Sequence, residues 1–353
     1  MLNRIQLTDI IDPHGHYRAG AMAKLTTPYS SYYCSAFLPM PNVPRLNTPA
    51  KVLANSASLR SIIMENGHTC SIMQCMMLDQ VEIETTPDMI DEAFDSGIRY
   101  FKAYFVGTTT GATGHNAAGV SDIKRMKNGI WKIEERGGIL LLHLELPPPT
   151  YFQDRERLAI PILEWLVATF PTLKIVCEHI TSAELLRVIL AMPPHVTANL
   201  TSHHLYDTLD IVNGGMLNPH AYCKPPHPTP TNLTTLQLAA VSGNKKIRWG
   251  SDTAPHDQGK KECAEGCAGC FTAPHALLML AEVFEQLLPE ELVQQRLQEF
   301  VSNRAIEYYG LEGTGKKVLL IRKPTIVRDV YRGDGVSVVP YRAGHTYKWS
   351  MDV

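Results

Sequence analysis

The chain has 353 residues, 44% of them hydrophobic and 19% charged, with a formal net charge of −2 at pH 7. That balance is ordinary for a globular fold, and the lack of any dense Lys or Arg run argues against a nucleic-acid-binding surface or an anionic-membrane anchor. The longest apolar runs, such as Ile139–Leu142 and Ala276–Ala281, are far too short to span a bilayer. Leu2-Asn3-Arg4 leads into an alternating segment, not the apolar core of a signal peptide, so a cytoplasmic protein is expected. Eight scattered cysteines in such a chain read as reduced, partly buried thiols.

Along the chain, short apolar runs that end in polar residues alternate with amphipathic stretches that close on glycine. The strand-like runs are Ile5–His16, Ser35–Asn42, Cys70–Leu78, Ile98–Val106, Gly138–Glu145, Leu173–Ile180, Val196–Leu205 and Ile247–Asp252. Between them, helical patterns over Thr48–Asn66, Pro87–Ser96, Ser121–Arg136 and Thr229–Ser242 stop at Gly67, Gly97, Gly137 and Gly243. A glycine just past the last turn supplies the left-handed conformation that ends a helix. Asp154–Phe170, closed by Pro171, and Ser182–Ala191 fill the remaining gaps.

Eight such runs, each followed by a crossover, predict an α/β fold of the (β/α)8 TIM-barrel type over residues 1–310. Further helices over Pro274–Leu288 and Glu290–Tyr308 complete that unit. The mixed tail, residues 311–353, is strand-like over Val318–Ile321 and Thr325–Tyr331 and is expected to pack on the barrel as a C-terminal extension. A flavodoxin-like open sheet competes, but it normally uses fewer strands.

Catalytic residues of a barrel project from the C-terminal ends of its strands. Run one ends in Asp12-Pro-His14-Gly-His16-Tyr-Arg18, whose two histidines share one side of a strand at a separation suited to one metal ion. Run four carries Lys102 in the middle of the aromatic stretch Ile98–Val106, an unusual place for an ammonium group. Run five ends in His143-Leu-Glu145, run six in Glu178-His179, run seven in His203-His204, and run eight reaches Asp252 and His256. A single histidine at a strand end is usually a hydrogen-bonded structural residue; the joint series in barrel order is what points to metal.

These stretches resemble the amidohydrolase superfamily and, within it, the shorter, single-function dihydroorotases. The resemblance rests on D-P-H-G-H-Y-R (12–18), M-P-N (40–42), F-K-A-Y (101–104), C-E-H-I-T (177–181), P-H-A-Y-C-K-P (219–225), G-S-D-T-A-P-H (250–256) and G-C-A-G-C-F-T-A-P (266–274), and it extends over essentially the whole chain. It implies two divalent metal ions, zinc by the imidazole and carboxylate donor set, with cobalt or manganese able to substitute. His14, His16 and Asp252 would hold one ion and His143 and His179 the other. Lys102, carboxylated by carbon dioxide, would bridge them, because burial favours the neutral amine that can form a carbamate.

The resemblance further implies reversible interconversion of dihydroorotate and N-carbamoyl-L-aspartate, a step of pyrimidine synthesis, with Asp252 as the catalytic proton carrier. Arg18, Asn42 and His256 would bind the substrate carboxylate, Lys224 and Ala268 the ring edge through their backbones, and Thr109 and Thr110 would belong to a loop covering the substrate. A homodimer is implied in the same way. The chain departs from the family pattern at Phe105-Val-Gly107, at Gly111 after the threonines and at Leu144 after His143. His203 and His204 match no family metal ligand, which leaves them a structural or supporting role.

Three other readings compete. Cys263, Cys267 and Cys270 have the C-x3-C-x2-C spacing of an iron–sulfur motif, but in radical enzymes that motif follows the first barrel strand, not the eighth. A non-catalytic scaffold that assembles with aspartate transcarbamoylase would be expected to lose ligands, and here none is lost. Another cyclic-amide hydrolase with an anionic substrate is the third, and Arg18 with Asn42 argues for dihydroorotate over it.

Overall fold

The computed structural model describes residues 2–109 and 118–352. The first run, Ile5–His16, forms two strands rather than one. It breaks at Asp9, whose φ is 52° and whose carboxylate accepts hydrogen bonds from Thr314 N at 2.9 Å and Gly315 N at 3.1 Å. Strand β1 (Arg4–Thr8) lies outside the barrel and pairs antiparallel with Lys317–Ile321, which in turn pairs with Ser350–Asp352. Its alternation of buried Ile5 and Leu7 with exposed neighbours is that of a strand covered on one face.

The barrel runs through β2 (Ile10–Gly15), β3 (Cys34–Pro39), β4 (Ser71–Ile72), β5 (Cys75–Met77), β6 (Tyr100–Tyr104), β7 (Ile139–His143), β8 (Lys174–Cys177), β9 (Val196–Leu200) and β10 (Ile247–Trp249). All pairings are parallel. β4 and β5 are two parts of the third run: the first lies beside β3 and the second beside β6, so one stretch of chain joins both halves. Closure is made by backbone hydrogen bonds of 2.8 Å from Asp252 N to His14 O and from His16 N to Thr253 O. The result is the (β/α)8 barrel that the order of runs predicts, with the C-terminal strands added outside it.

Side chains alternate across each strand. On β6, Phe101 and Ala103 face the surrounding helices, whereas Lys102 faces the barrel axis in register with Met77 and Leu141 on its neighbours. Below that layer the interior is filled by Ile11, Ala36, Met73, Cys75, Ile139 and Val176. Helix Arg304–Tyr309 closes the N-terminal mouth: Arg304 Nη1 donates to Ile247 O at 2.7 Å and Tyr308 Oη to His195 O at 2.9 Å. The opposite, C-terminal mouth is left for the polar residues.

Three crossover helices, Pro49–Glu65, Pro87–Asp95 and Pro230–Val241, begin with Thr-Pro. The threonine oxygen accepts a first-turn N–H, and proline forgoes a bond the helix would not make there. The glycines after them, Gly67, Gly97 and Gly243, have the positive φ that stops a helix. Elsewhere the elements are more broken than periodicity suggests. Ser121–Arg136 is a 3-10 turn (Ile123–Met126) followed by helix Lys127–Glu135, and Asp154–Phe170 divides into Arg155–Leu158 and Ile160–Thr169. The run Val196–Leu205 leaves the sheet after Leu200, because Thr201 Oγ1 accepts from His204 N at 3.1 Å and starts helix Ser202–Tyr206. His203 and His204 are therefore helical residues, not strand-end residues. A helix over Gly20–Thr26, which the sequence pattern leaves unassigned, fills the gap between β2 and β3.

Candidate active site and metal centre

Six residues expected as metal ligands meet at the C-terminal mouth. His14 and His16, at the end of β2, point the same way, and their Nε2 atoms lie 3.3 Å and 3.1 Å from Asp252 Oδ1. Each ring is held from behind, His14 Nδ1 by Glu178 Oε2 and His16 Nδ1 by Asn42 Oδ1, both at 2.8 Å. Both partners are acceptors, so the protons sit on Nδ1 and the Nε2 lone pairs face inward. That is the arrangement of a metal-ligating imidazole. His143 is turned the other way: its Nε2 meets Glu145 Oε2 at 2.7 Å, and its Nδ1 lies 3.1 Å from His179 Nε2. The ring of His179 also lies 4.9 Å from that of His14. The donor atoms of His14, His179 and Asp252 all lie within 4.8 Å of one another.

Lys102 is completely buried beneath these groups. Its Nζ has no hydrogen-bond partner, and it lies 4.9 Å from the centre of the Tyr104 ring. Burial pulls its pKa down to about 8, against the opposing pull of Glu178. A cation left unpaired in such a place is costly, and a neutral amine is the form that carbon dioxide attacks. His143 and His179 are held neutral, well below the usual histidine range, by burial and by neighbouring positive groups. Burial also lowers His16 to about 4. Burial would raise Asp252, but the close approach of His14 and His16 outweighs it and holds the carboxyl well below its usual range. Burial would lower His14 too, but the Glu178 carboxylate behind it raises it. Neutral imidazoles at His16, His143 and His179, the His14 ring, an ionised carboxylate and an orphaned buried amine fit a pair of divalent ions.

The backbone is strained at the same place. Arg18, His179 and Asp252 have φ values of 59°, 41° and 44°, a region that costs a non-glycine residue about 1–3 kcal/mol. At Asp252 the strained turn is pinned by its N–H bond to His14 O.

Next to the ligands lies a cleft of about 410 Å³ including its open mouth, lined among others by Arg18, Asn42, Thr109, Lys224 and Ala268. Arg18 is anchored by Nε donating to Pro255 O at 2.8 Å, while its Nη1 is buried without a partner. Burial lowers Arg18 to about 10, which leaves it cationic at neutral pH. Its Nη2 lies 3.0 Å from His256 Nε2, which is also 3.0 Å from Ala268 O; one tautomer can serve only one of these contacts at a time. Burial, with the charge of Arg18 behind it, drives His256 down to about 2. Thr110 and the segment Gly111–Gly114 lie outside the described residues.

The structure adds residues that sequence reasoning gave no role. Glu178 Oε2 accepts from both His14 Nδ1 and Asn199 Nδ2, the latter at 2.7 Å, and Glu145 orients His143. Both acids stand one or two positions from a ligand histidine, which was the available signal; nothing in the sequence marks Asn199. Cys270 turns away from Cys263 and Cys267 toward Cys223 and His227, so the C-x3-C-x2-C motif is not one cluster.

No protein-family model matches the chain. It is 34% identical over 355 residues to a dihydroorotase of Shewanella amazonensis, covering 99% of this chain and all of that one. The chain belongs to the dihydroorotase family. A dihydroorotase of Aromatoleum aromaticum is 35% identical, covering 96% of this chain and 97% of its own. Among solved structures, dihydroorotase from Campylobacter jejuni superposes with a TM-score of 0.88 at 32% identity, covering 100% of this chain and 98% of that one. Dihydroorotase from Saccharomyces cerevisiae, solved with 5-fluoroorotic acid, gives 0.88 at 31% identity and 99% coverage of both chains. An L-hydantoinase from Arthrobacter aurescens shares the fold, with a TM-score of 0.75 at 15% identity. The dihydroorotase resemblance read from the sequence motifs is thus borne out along the whole chain. Among the described residues no helix is long and apolar enough to cross a membrane.

Proposed function

We propose that the chain catalyses the reversible interconversion of (S)-dihydroorotate and N-carbamoyl-L-aspartate in pyrimidine biosynthesis, using two divalent metal ions, zinc by preference. One observation carries this reading. Four imidazoles and one ionised carboxylate gather at the barrel mouth, where strand β6 carries a buried, orphaned Lys102 amine, with a buried cationic Arg18 in the adjoining cleft. His14, His16 and Asp252 would hold one ion, His143 and His179 the other, and carboxylated Lys102 both. When bound, the ions supply Lewis acidity and lower the pKa of water toward neutrality.

The chain's own groups do the rest. Asp252, ionised beside two imidazoles and lining the cleft, takes a proton from the attacking water and delivers it to the departing ring nitrogen. Arg18 pairs with the substrate carboxylate through its free Nη1 edge. Asn42 has two tasks, orienting His16 and lining the cleft beside that carboxylate. His256 completes the carboxylate site, Lys224 and Ala268 bind the ring through backbone groups, and Thr109 with Thr110 closes over it. On this reading residues 1–310 are the catalytic barrel, residues 311–353 its C-terminal extension, and the protein is a cytoplasmic homodimer.

The test is cyclisation of N-carbamoyl-L-aspartate by the metal-loaded protein, with dihydropyrimidinase substrates as controls. Turnover of the first and not of the controls is expected. Preference for an uncharged cyclic amide would overturn the assignment.

A further inference from the structure

A second polar cluster, which the chemistry above does not use, adjoins the cleft, whose lining includes its Cys223. It consists of His203, His204, Cys223, His227 and Cys270, all buried. The donor atoms of His203, His204 and Cys223 lie within 4.8 Å of one another, as do those of Cys223, His227 and Cys270. Cys223 belongs to both groups. Its Sγ is 3.4 Å from His204 Nε2, and with Zn–S near 2.3 Å and Zn–N near 2.0 Å a tetrahedral ion sets such donors about 3.5 Å apart.

Other features of the cluster point to a ligand as well. His203, His204 and His227 each have a buried Nδ1 without a hydrogen-bond partner. His227 Nε2 donates to Ala221 O at 3.1 Å, which leaves Nδ1 as a bare lone pair, with its ring stacked on Tyr341. No carboxylate belongs to either group. Two sulfurs with imidazoles in a dry place form the donor set of a structural zinc site.

We propose that Cys223, His227 and Cys270 bind one zinc ion, separate from the active-site pair, with His204 beside Cys223 and His203 packed against His204 as supporting rings. Binding replaces the thiol protons of Cys223 and Cys270, which leave to solvent, and involves no change of oxidation state. Cys223 directly precedes Lys224, and Cys270 follows Ala268 by two positions; Lys224 and Ala268 line the substrate cleft. The ion therefore ties together the two loops that present the cleft's backbone groups. Lys261 braces the same loops, its Nζ donating to Gly269 O at 2.6 Å and Tyr222 O at 3.0 Å. The inference does not depend on the reaction proposed above.

The test is titration of the chelator-stripped, reduced full chain with cobalt(II), reading the thiolate-to-cobalt charge-transfer band in the near ultraviolet. The active-site ligands include no sulfur, so the band reports thiolate ligation outside the active site. One equivalent per chain should produce it; Lys102→Ala should keep it, and Cys223→Ser with Cys270→Ser should abolish it. Should that double variant fail to fold, His227→Gln should weaken cobalt affinity at this band at least tenfold. No band in the wild-type protein, a band that survives loss of both cysteines, or a Cys223–Cys270 disulfide in the protein as isolated would each overturn the proposal.

Discussion

Glu178 binds nothing in the proposed reaction, yet the structure makes metal affinity depend on it. One oxygen of its buried carboxylate accepts from His14 Nδ1 at 2.8 Å and from Asn199 Nδ2 at 2.7 Å. Glu178→Gln keeps the shape but removes the charge. A hydrogen bond to a charged group contributes about 1.5–3 kcal/mol and a neutral one about 0.5–1.5 kcal/mol, so the loss at His14 is about 1–2 kcal/mol. At 1.36 kcal/mol per decade, metal affinity should fall about 5- to 30-fold. Glu178→Ala also frees the His14 ring to turn, and a loss near 100-fold is expected, the upper end for removing a partner behind a ligand. Competition against a chromophoric chelator near neutral pH measures both. Wild-type affinity in both variants, with His14 unmoved in a crystal structure, would refute the idea that this carboxylate sets the lone pair.

Arg18→Met should raise KM roughly 100-fold, since a buried charged pair with the substrate carboxylate is lost, while metal content stays at the wild-type level; steady-state kinetics with unchanged saturation would count against the role. Burial raises Glu156 from 4.5 to about 8, despite hydrogen bonds from Thr181, so the folded chain holds this proton more tightly than the unfolded one. Its contribution to stability is therefore complete below about pH 4.5 and lost as pH climbs through about 8. Glu156→Gln should melt several degrees above wild type at alkaline pH and converge with it in acid; parallel curves would contradict the sign. At Gly269, φ is 145° and an added Cβ would stand 2.7 Å from Ala254 O. Gly269→Ala should cost about 1–3 kcal/mol in urea unfolding and raise KM through the displaced Ala268.

Lys102 was legible because a lone ammonium interrupts an apolar strand, and strand alternation then fixes which way it points. The strand-end histidines were legible for the same reason: in a barrel, position along a strand is position relative to the site. Pairing partners were not. Nothing local tells Ile5 and Leu7 that they belong with Lys317–Ile321, since that ladder closes across nearly the whole chain. The end of the seventh barrel strand was hidden by a cap: Thr201 turns the backbone into a helix, and the pattern Leu-Thr-Ser-His-His carries no glycine or proline to mark it. Glu178 and Glu145 stood beside ligands in the sequence, but only the fold shows which face each takes. Cys270 was read with its near neighbours Cys263 and Cys267, whereas its partners come from a different loop.

The most direct measurement is the metal content of Lys102→Ala beside that of the wild-type protein, by elemental analysis after gel filtration. If a carboxylated lysine joins the two active-site ions, the variant loses most of both, and with them its activity. If both ions remain at wild-type occupancy in a folded variant, Lys102 is not their bridge.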